Sequence, residues 1–241
     1  SGQGRLPNGY EHYLLKFDGV VEHAESKETF GDPAGFGRME YAYYLMAKDA
    51  KVEMEHCELL PDGNRAHFIT KRFDRSGNTK HHYQSLCAMD HADFKKPGHY
   101  SYEQLFSVMR QLRLPRASAV QMYRRMVFNV AARNHDDHTK NFGFLLKEGG
   151  KWELAPAFDI AFSYKPGSPW VNSHQLTLNG KRDDFTRSDL VAAAPGFDRR
   201  EANGIIDEVV EVVAQWPKYA KEAGVFAELD KEIRSAHRLY I

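Results

Sequence analysis

Long apolar runs are missing from this sequence. No stretch approaches the ~20 residues that a helix needs to cross a bilayer, and no signal peptide is visible, so a soluble, cytoplasmic protein is expected. Cysteine is scarce: Cys57 and Cys87 match no zinc spacing and fall in segments that read as regular structure, so both are expected to be reduced core thiols. An excess of either charge is absent too, because 33 basic side chains face 33 acidic ones. That balance removes any global electrostatic argument for nucleic-acid binding and leaves only a local basic patch open. An initiator Met is lacking, and Ser1-Gly2-Gln3-Gly4 runs directly into Leu6-Pro7-Asn8-Gly9, which suggests a fragment or a processed chain. What remains is the balance of an ordinary globular protein, 42% apolar and 27% charged, with 241 residues to build one large domain or two small ones.

The chemistry is concentrated in one stretch, Asn134-His135-Asp136-Asp137-His138-Thr139-Lys140-Asn141, followed by an apolar hairpin and Ala157-Phe158-Asp159. A carboxylate at Asp136, an amide five residues later at Asn141 and a second carboxylate at Asp159 are the minimum set for Mg²⁺-dependent phosphoryl transfer. One group orients the attacking hydroxyl, and two oxygen ligands hold the metal that neutralises charge on the transferred phosphoryl.

The rest of the chain can be arranged around that stretch. Residues 10–17 alternate with the period of a strand, Tyr13, Leu15 and Phe17 on one face and His12, Leu14 and Lys16 on the other. A lone strand lysine such as Lys16 is ordinarily a solvated edge charge. From Gly37 onward Met39, Ala42, Tyr43 and Met46 recur at helical spacing, with Glu40 near the N-terminus, where a carboxylate suits the helix dipole. Strands are predicted over 52–60 and 66–73, joined by the turn Pro61-Asp62-Gly63-Asn64, with a second turn at Arg75-Ser76-Gly77-Asn78. Residues 81–100 show no periodicity and read as an irregular surface excursion, and the spacing of His81, His82, His91 and His99 fits no compact metal site.

Helical character begins at Ser101, which with Gln104 forms a capping box ahead of the stripe Leu105, Val108, Met109 and Leu112. Leu114-Pro115 breaks that helix. A longer one starting near Ser118 carries Tyr123, Met126, Val127 and Val130 and delivers the chain into the 134–141 loop. Strands at 142–147 and 151–154 flank Glu148-Gly149-Gly150 as a hairpin, which would bring Asn141 and Asp159 together. Two or three packing helices are predicted over 189–241, from Ile205, Val209, Val212 and Trp216.

Other chemistries use the same residue types. His135-Asp136 could open an HD-type phosphohydrolase site, and His135 with His138 could bind zinc, but further ligands and an outer shell of hydrogen bonds are not evident for either. A polar loop held by Asx turns and helix caps is the plain alternative. In protein-kinase-like enzymes the catalytic Asp precedes a metal-binding Asn by five positions, and a second metal-binding Asp follows across a hairpin. The form Asp-x-His-x-x-Asn, with His138 in the middle, resembles aminoglycoside and phosphoinositide kinases and the HipA toxins.

The likeness extends further. Residues 136–142, Leu154-Ala155-Pro156-Ala157-Phe158-Asp159-Ile160, Lys71-Arg72-Phe73-Asp74-Arg75 and Asn179-Gly180-Lys181-Arg182-Asp183-Asp184 together resemble the HipA family of bacterial toxin kinases, in its C-terminal kinase portion, from about Tyr10 onward. The resemblance implies an ATP- and Mg²⁺-dependent serine/threonine protein kinase with an α+β, protein-kinase-like fold of two lobes. Residues 1–98 would form the nucleotide-binding part and 99–241 a mainly helical catalytic lobe. It implies a HipB-like antitoxin as partner, DNA reached only through that antitoxin, no membrane association, and a protein substrate, aminoacyl-tRNA synthetases being the substrates in the family. Carried over residue by residue, it makes Asp136 the catalytic base and Asn141 and Asp159 the Mg²⁺ ligands. Lys16 becomes the partner of the ATP phosphates, and backbone groups near Lys71 and Phe73 become hinge contacts to adenine. His138 and Lys140 would orient the loop or meet the γ-phosphate, and Glu40 is a candidate partner for Lys16. The family also carries a Ser/Gly-rich loop before the lysine strand, which nothing in residues 1–10 supplies. The expectation is therefore either a loop lying upstream of Ser1 or an impaired kinase. A small-molecule kinase of the aminoglycoside-phosphotransferase kind and a kinase-like binding module are the alternatives.

Overall fold

Backbone hydrogen bonding in the computed structural model, which describes residues 5–7, 9–19, 21–22, 30–31 and 34–241, follows the hydrophobic pattern closely. In chain order the elements are β1 (Tyr13–Lys16), β2 (Val21–Glu22), β3 (Phe30–Gly31), α1 (Phe36–Asp49), β4 (Cys57–Asp62), β5 (Arg65–Lys71), β6 (Arg75–Ser76), β7 (Thr79–Lys80), β8 (His82–Ser85), α2 (Leu86–Met89), α3 (Tyr102–Gln111), α4 (Arg116–Ala131), β9 (Gly143–Lys147), β10 (Lys151–Leu154), α5 (Arg187–Ala192), α6 (Arg199–Ala214), α7 (Trp216–Ala223) and α8 (Ala227–Ala236). The Ser1-Gly2-Gln3-Gly4 stretch lies outside the described residues.

Two three-stranded antiparallel sheets frame the molecule, one in the order β1-β5-β4 and the other β10-β9-β8. β4 and β5 form a tight hairpin in which Asp62 pairs with Arg65, so Pro61 and Asp62 belong to the strand and only Gly63 and Asn64 turn. Gly63 takes φ 55°, a left-handed conformation that glycine adopts without steric cost. The strand begins at Cys57 rather than at residue 52, because 52–56 peel away toward the second half of the chain, where the Ala157 amide donates to the Glu53 carbonyl.

The first sheet lies against α1. Met39, Ala42, Tyr43 and Met46 are all buried on the core side of that helix, as their spacing predicts. Gly37 lets the helix touch the sheet, since a Cβ there would stand 2.1 Å from the Ala66 carbonyl oxygen. One continuous core joins α1 to α3, α4, α6 and α7, with Tyr123, Met126, Val127 and Val130 fully enclosed.

Three further expectations need correction. Residues 81–100 are not wholly irregular: β8 pairs with β9 over Ser85↔Gly143 to His82↔Leu146, and α2 follows directly. Four polar-rich residues are too few to show a period, so the pattern could not reveal that strand. Residues 187–236 form four helices rather than two or three, because Pro217 at the start of α7 ends the run of α6. Cys87 is half-buried on the short α2, so only Cys57 is a core thiol, and both are free. Among the described residues no helix is long and apolar enough to cross a membrane.

Candidate active site

Lys16 enters the site because of register. It pairs with Phe68 of β5 and shares a strand face with Leu14, which lines a cleft, while Tyr13 and Leu15 lie on the other face. From α1, Glu40 extends to it and the two meet at 2.7 Å, while Asp159 meets the same ammonium at 2.5 Å. Burial alone would lower the Lys16 pKa, but the two carboxylates overrule it and hold the ammonium charged well above its ordinary value. The Glu40 side chain is therefore engaged in this ion pair rather than left at the surface to the helix dipole. Asp159 takes φ 55°, unusual for a non-glycine residue though commonest among Asn and Asp.

α4 supplies the floor for the loop that follows it. The Asn134 amide donates to the Asn129 carbonyl, and the His135 amide to Ser163 on the segment beyond Asp159. Asp136 is half-buried, and desolvation raises its carboxyl pKa above the ordinary value despite the nearby His138. His138 brings Nε2 to 3.6 Å from Asp136 Oδ1. Asn141 closes the loop: its Nδ2 donates to the Asp136 carbonyl at 2.9 Å and its amide to the His138 carbonyl at 2.9 Å. That bond occupies the NH₂ end of the side-chain amide, so the oxygen is the end available to a cation.

The hairpin of β9 and β10 sets the second carboxylate. Leu154 pairs with Phe144, and the Ala155 amide donates to the Gly143 carbonyl, so the chain returns beside Asn141 just before Asp159. Arg125 of α4 locks the two ends. Its guanidinium donates to the Asn141 carbonyl and lies 4.7 Å from the Phe142 ring centre and 5.8 Å from that of Phe158. Burial lowers its pKa to about 10.

Beside these groups is a cleft of about 290 Å³ whose lining includes Leu14, Thr70, Lys71, Phe73, Lys140 and Phe158. The Phe73 ring packs on Tyr83 and Phe158, 5.4 and 5.5 Å between centroids. The Lys71 ammonium is turned to Glu11, so its contribution to the cleft comes from backbone and stem. Lys140 lines the cleft while its Nζ sits 3.3 Å over the Phe94 ring. His138 lies apart from the cleft, edge-on to Phe94, in a small recess with Thr139 and Gln175. Thus Lys16, Glu40 and Asp159 form one contact group, Asp136, His138 and Asn141 a second, and Lys71, Phe73 and Lys140 line the cleft.

Arg125 escaped the sequence reading, and so did the buried, loop-packing roles of Asp137 and His135. Arg125 does not belong to the apolar stripe of its helix, and only the rings of Phe142 and Phe158 beside it reveal its place. Asp137 is fully enclosed and serves the loop from below. His135 is likewise enclosed, with its ring 4.0 Å from that of His174, and burial foremost lowers its pKa to about 3. A buried, neutral imidazole in that position is a packing element of the loop.

Comparison with known proteins gives consistent matches. Residues 3–216 match the HipA-like C-terminal domain. A protein of Haemophilus influenzae bearing the name "Putative kinase" is 29% identical over 153 residues, 60% of this chain and 43% of that protein. HipA of the Shewanella oneidensis MR-1 toxin–antitoxin system, solved with HipB and its operator DNA, superposes with a TM-score of 0.69 at 17% identity, covering 98% of this chain and 65% of that one. The Helicobacter pylori proinflammatory kinase CtkA superposes with a TM-score of 0.55 at 14% identity, covering 92% of each chain. The chain thus spans less than two thirds of the Haemophilus and Shewanella proteins, and the two superpositions establish a shared α+β, kinase-like fold.

Proposed function

Since this chain belongs to the HipA-like C-terminal domain family, we propose that it is an ATP- and Mg²⁺-dependent serine/threonine protein kinase, the toxin of a bacterial toxin–antitoxin pair. The observation that carries the reading is the contact of Lys16 with both Glu40 and Asp159, next in the chain to Phe158 of the cleft lining. It brings a cation for phosphates, a carboxylate that fixes that cation and a metal-binding carboxylate to one point. In this reading residues 1–98 are the nucleotide-binding part and 99–241 the catalytic lobe, with the pairing of β8 and β9 joining them.

The donor set fits magnesium. The exposed Asp159 carboxylate and the side-chain oxygen of Asn141 are hard oxygen ligands, and Mg²⁺ is bound through one or two such groups together with substrate phosphates. When bound, that ion would neutralise charge on the transferring phosphoryl. The protein's own residues do the remainder. Adenine would occupy the cleft between Leu14 and Phe158, against the backbone of Lys71 and Phe73. Lys16, held in place by Glu40, would take the phosphates. Asp136 would accept the proton of the substrate hydroxyl; its raised pKa makes it a better base than an ordinary carboxylate. His138 would orient Asp136, and Lys140, on the cleft wall, would meet the γ-phosphate.

A HipB-like antitoxin is the partner this reading implies, with DNA reached through it, a protein such as an aminoacyl-tRNA synthetase as substrate, and the cytoplasm as the site of action. Incubation with labelled ATP and Mg²⁺, with and without a bacterial lysate, tests it. Labelled protein bands are expected. A labelled small molecule would instead assign the site to a phosphotransferase of metabolites, and no transfer at all would leave a kinase-like binding module.

A further inference from the structure

We propose that the buried Asp137–His174 pair is the positioning device of the catalytic loop, suspending Asp136 from the segment that follows Asp159. Asp136 and Asp137 are adjacent yet differently placed, the first with its side chain 41% exposed and the second turned into the protein. The Asp137 side chain is 0% exposed. Its two oxygens accept three hydrogen bonds: Oδ2 from the Tyr102 hydroxyl at 2.6 Å and His174 Nδ1 at 2.8 Å, and Oδ1 from the Gln175 amide at 2.7 Å. Burial pushes this carboxyl up, but the charge and hydrogen bond of His174, with the Tyr102 and Gln175 bonds, outweigh it and hold the group below its ordinary value.

The donors come from two places in the chain. Tyr102 opens α3, whereas His174 and Gln175 lie fifteen and sixteen residues beyond Asp159. A second ring of bonds returns to the loop: Asn129 Nδ2 donates to the Tyr102 hydroxyl at 3.1 Å, and Asn134 Nδ2 donates to Asn129 Oδ1 at 3.0 Å. The loop backbone at residue 137 therefore cannot shift without breaking charge-assisted bonds inside the protein, where an unpaired carboxylate is costly. Because Asp136 is the neighbouring residue, its carboxylate inherits that fixity. His174 is thus a positioning residue: it touches no reacting atom and acts through Asp137. The catalytic half of this inference rests on the kinase reading above, while the structural half stands on the geometry alone.

The pair makes a chemical distinction that can be tested. The side-chain nitrogen of asparagine falls near the position of Nδ1 of histidine, whereas that of glutamine reaches toward Nε2. His174→Asn therefore keeps a donor for Asp137, and His174→Gln and His174→Ala do not. In phosphoryl-transfer assays His174→Ala and His174→Gln should lower kcat by about 10- to 100-fold, the order expected for a misplaced catalytic group. The Kd for MgATP should stay within about two-fold of wild type, and His174→Asn should recover most of the rate. Hydrogen exchange of the amides of residues 134–141 should speed up in the Ala and Gln variants and remain near wild type in the Asn variant. Should His174→Ala fail to fold, the Asn and Gln variants carry the comparison. Equal kcat and equal exchange in the Asn and Gln variants would overturn the proposal, as would loss of MgATP affinity in step with kcat. If the wild-type protein transfers no phosphoryl group, the kinase reading fails, and the exchange comparison decides the positioning role by itself.

Discussion

At the scale of single residues, the arrangement separates groups that bear charge in the cleft from groups that hold them there. Asp159 is exposed and meets Lys16, so Asp159→Asn removes a ligand charge without opening a cavity. That variant should lose phosphoryl transfer while its urea midpoint stays near wild type; wild-type transfer rates would remove Asp159 from the proposed site. The positions of Asp136, Asn141 and Asp159 were legible because acid and amide spacing across a hairpin is a local property of the chain. Lys16 was legible only through the family likeness, since nothing in residues 10–17 distinguishes it from an edge charge. Arg125 and His174 were not legible at all. Their roles depend on what folds against them, the rings of Phe142 and Phe158 in one case and the carboxylate of Asp137 in the other.

At the scale of elements, the site depends on close approach. Without a Cβ, Gly37 allows α1 to rest on β5, and that contact carries Glu40 to Lys16. Gly37→Ala would drive a methyl group into the Ala66 carbonyl, a backbone atom that cannot swing aside. Destabilisation of about 1–3 kcal/mol is expected from such overpacking, measured by urea unfolding. MgATP affinity should weaken with it, as the Lys16–Glu40 contact loosens; an unchanged urea midpoint would show that helix and sheet separate freely. The longer helices α1, α3, α4 and α6 were the best-read elements, because their apolar stripes span about three or more turns, whereas α2 and α5, with 4 and 6 residues, are too short to show one. Ser101 and Gln104 form the reciprocal bonds that their spacing announces, and α4 starts at Arg116, two residues before the predicted Ser118, because Pro115 serves as its N-cap. Strands read less well. β8 has four residues, and it is visible only through its pairing with β9.

At the scale of the whole molecule, the C-terminal segment ties the two halves of the core. His237 Nε2 lies 3.1 Å from the Tyr43 hydroxyl of α1, which itself donates to the Ala132 carbonyl at the end of α4. Burial, reinforced by the charge of Arg133, lowers the His237 pKa from 6.5 to about 3. The folded protein thus resists protonating a group that the unfolded chain protonates readily, so stability is lost as pH falls below about 6.5. From this residue alone the fold should be about 2 kcal/mol less stable at pH 5 than at pH 8. His237→Phe should reduce the pH slope of the urea midpoint by that share; an unaltered slope would show that the histidine titrates normally. The central claim, that the cleft binds nucleotide through Lys16 and performs chemistry through Asp136, is tested most directly by calorimetric titration of MgATP into wild-type, Lys16→Ala and Asp136→Asn proteins, paired with turnover. The account predicts weakened ATP binding in Lys16→Ala, and near-normal binding in Asp136→Asn with turnover reduced by about 10²- to 10⁴-fold. Affinity lost in Asp136→Asn and intact in Lys16→Ala would contradict it, and so would two variants that bind and turn over as wild type does.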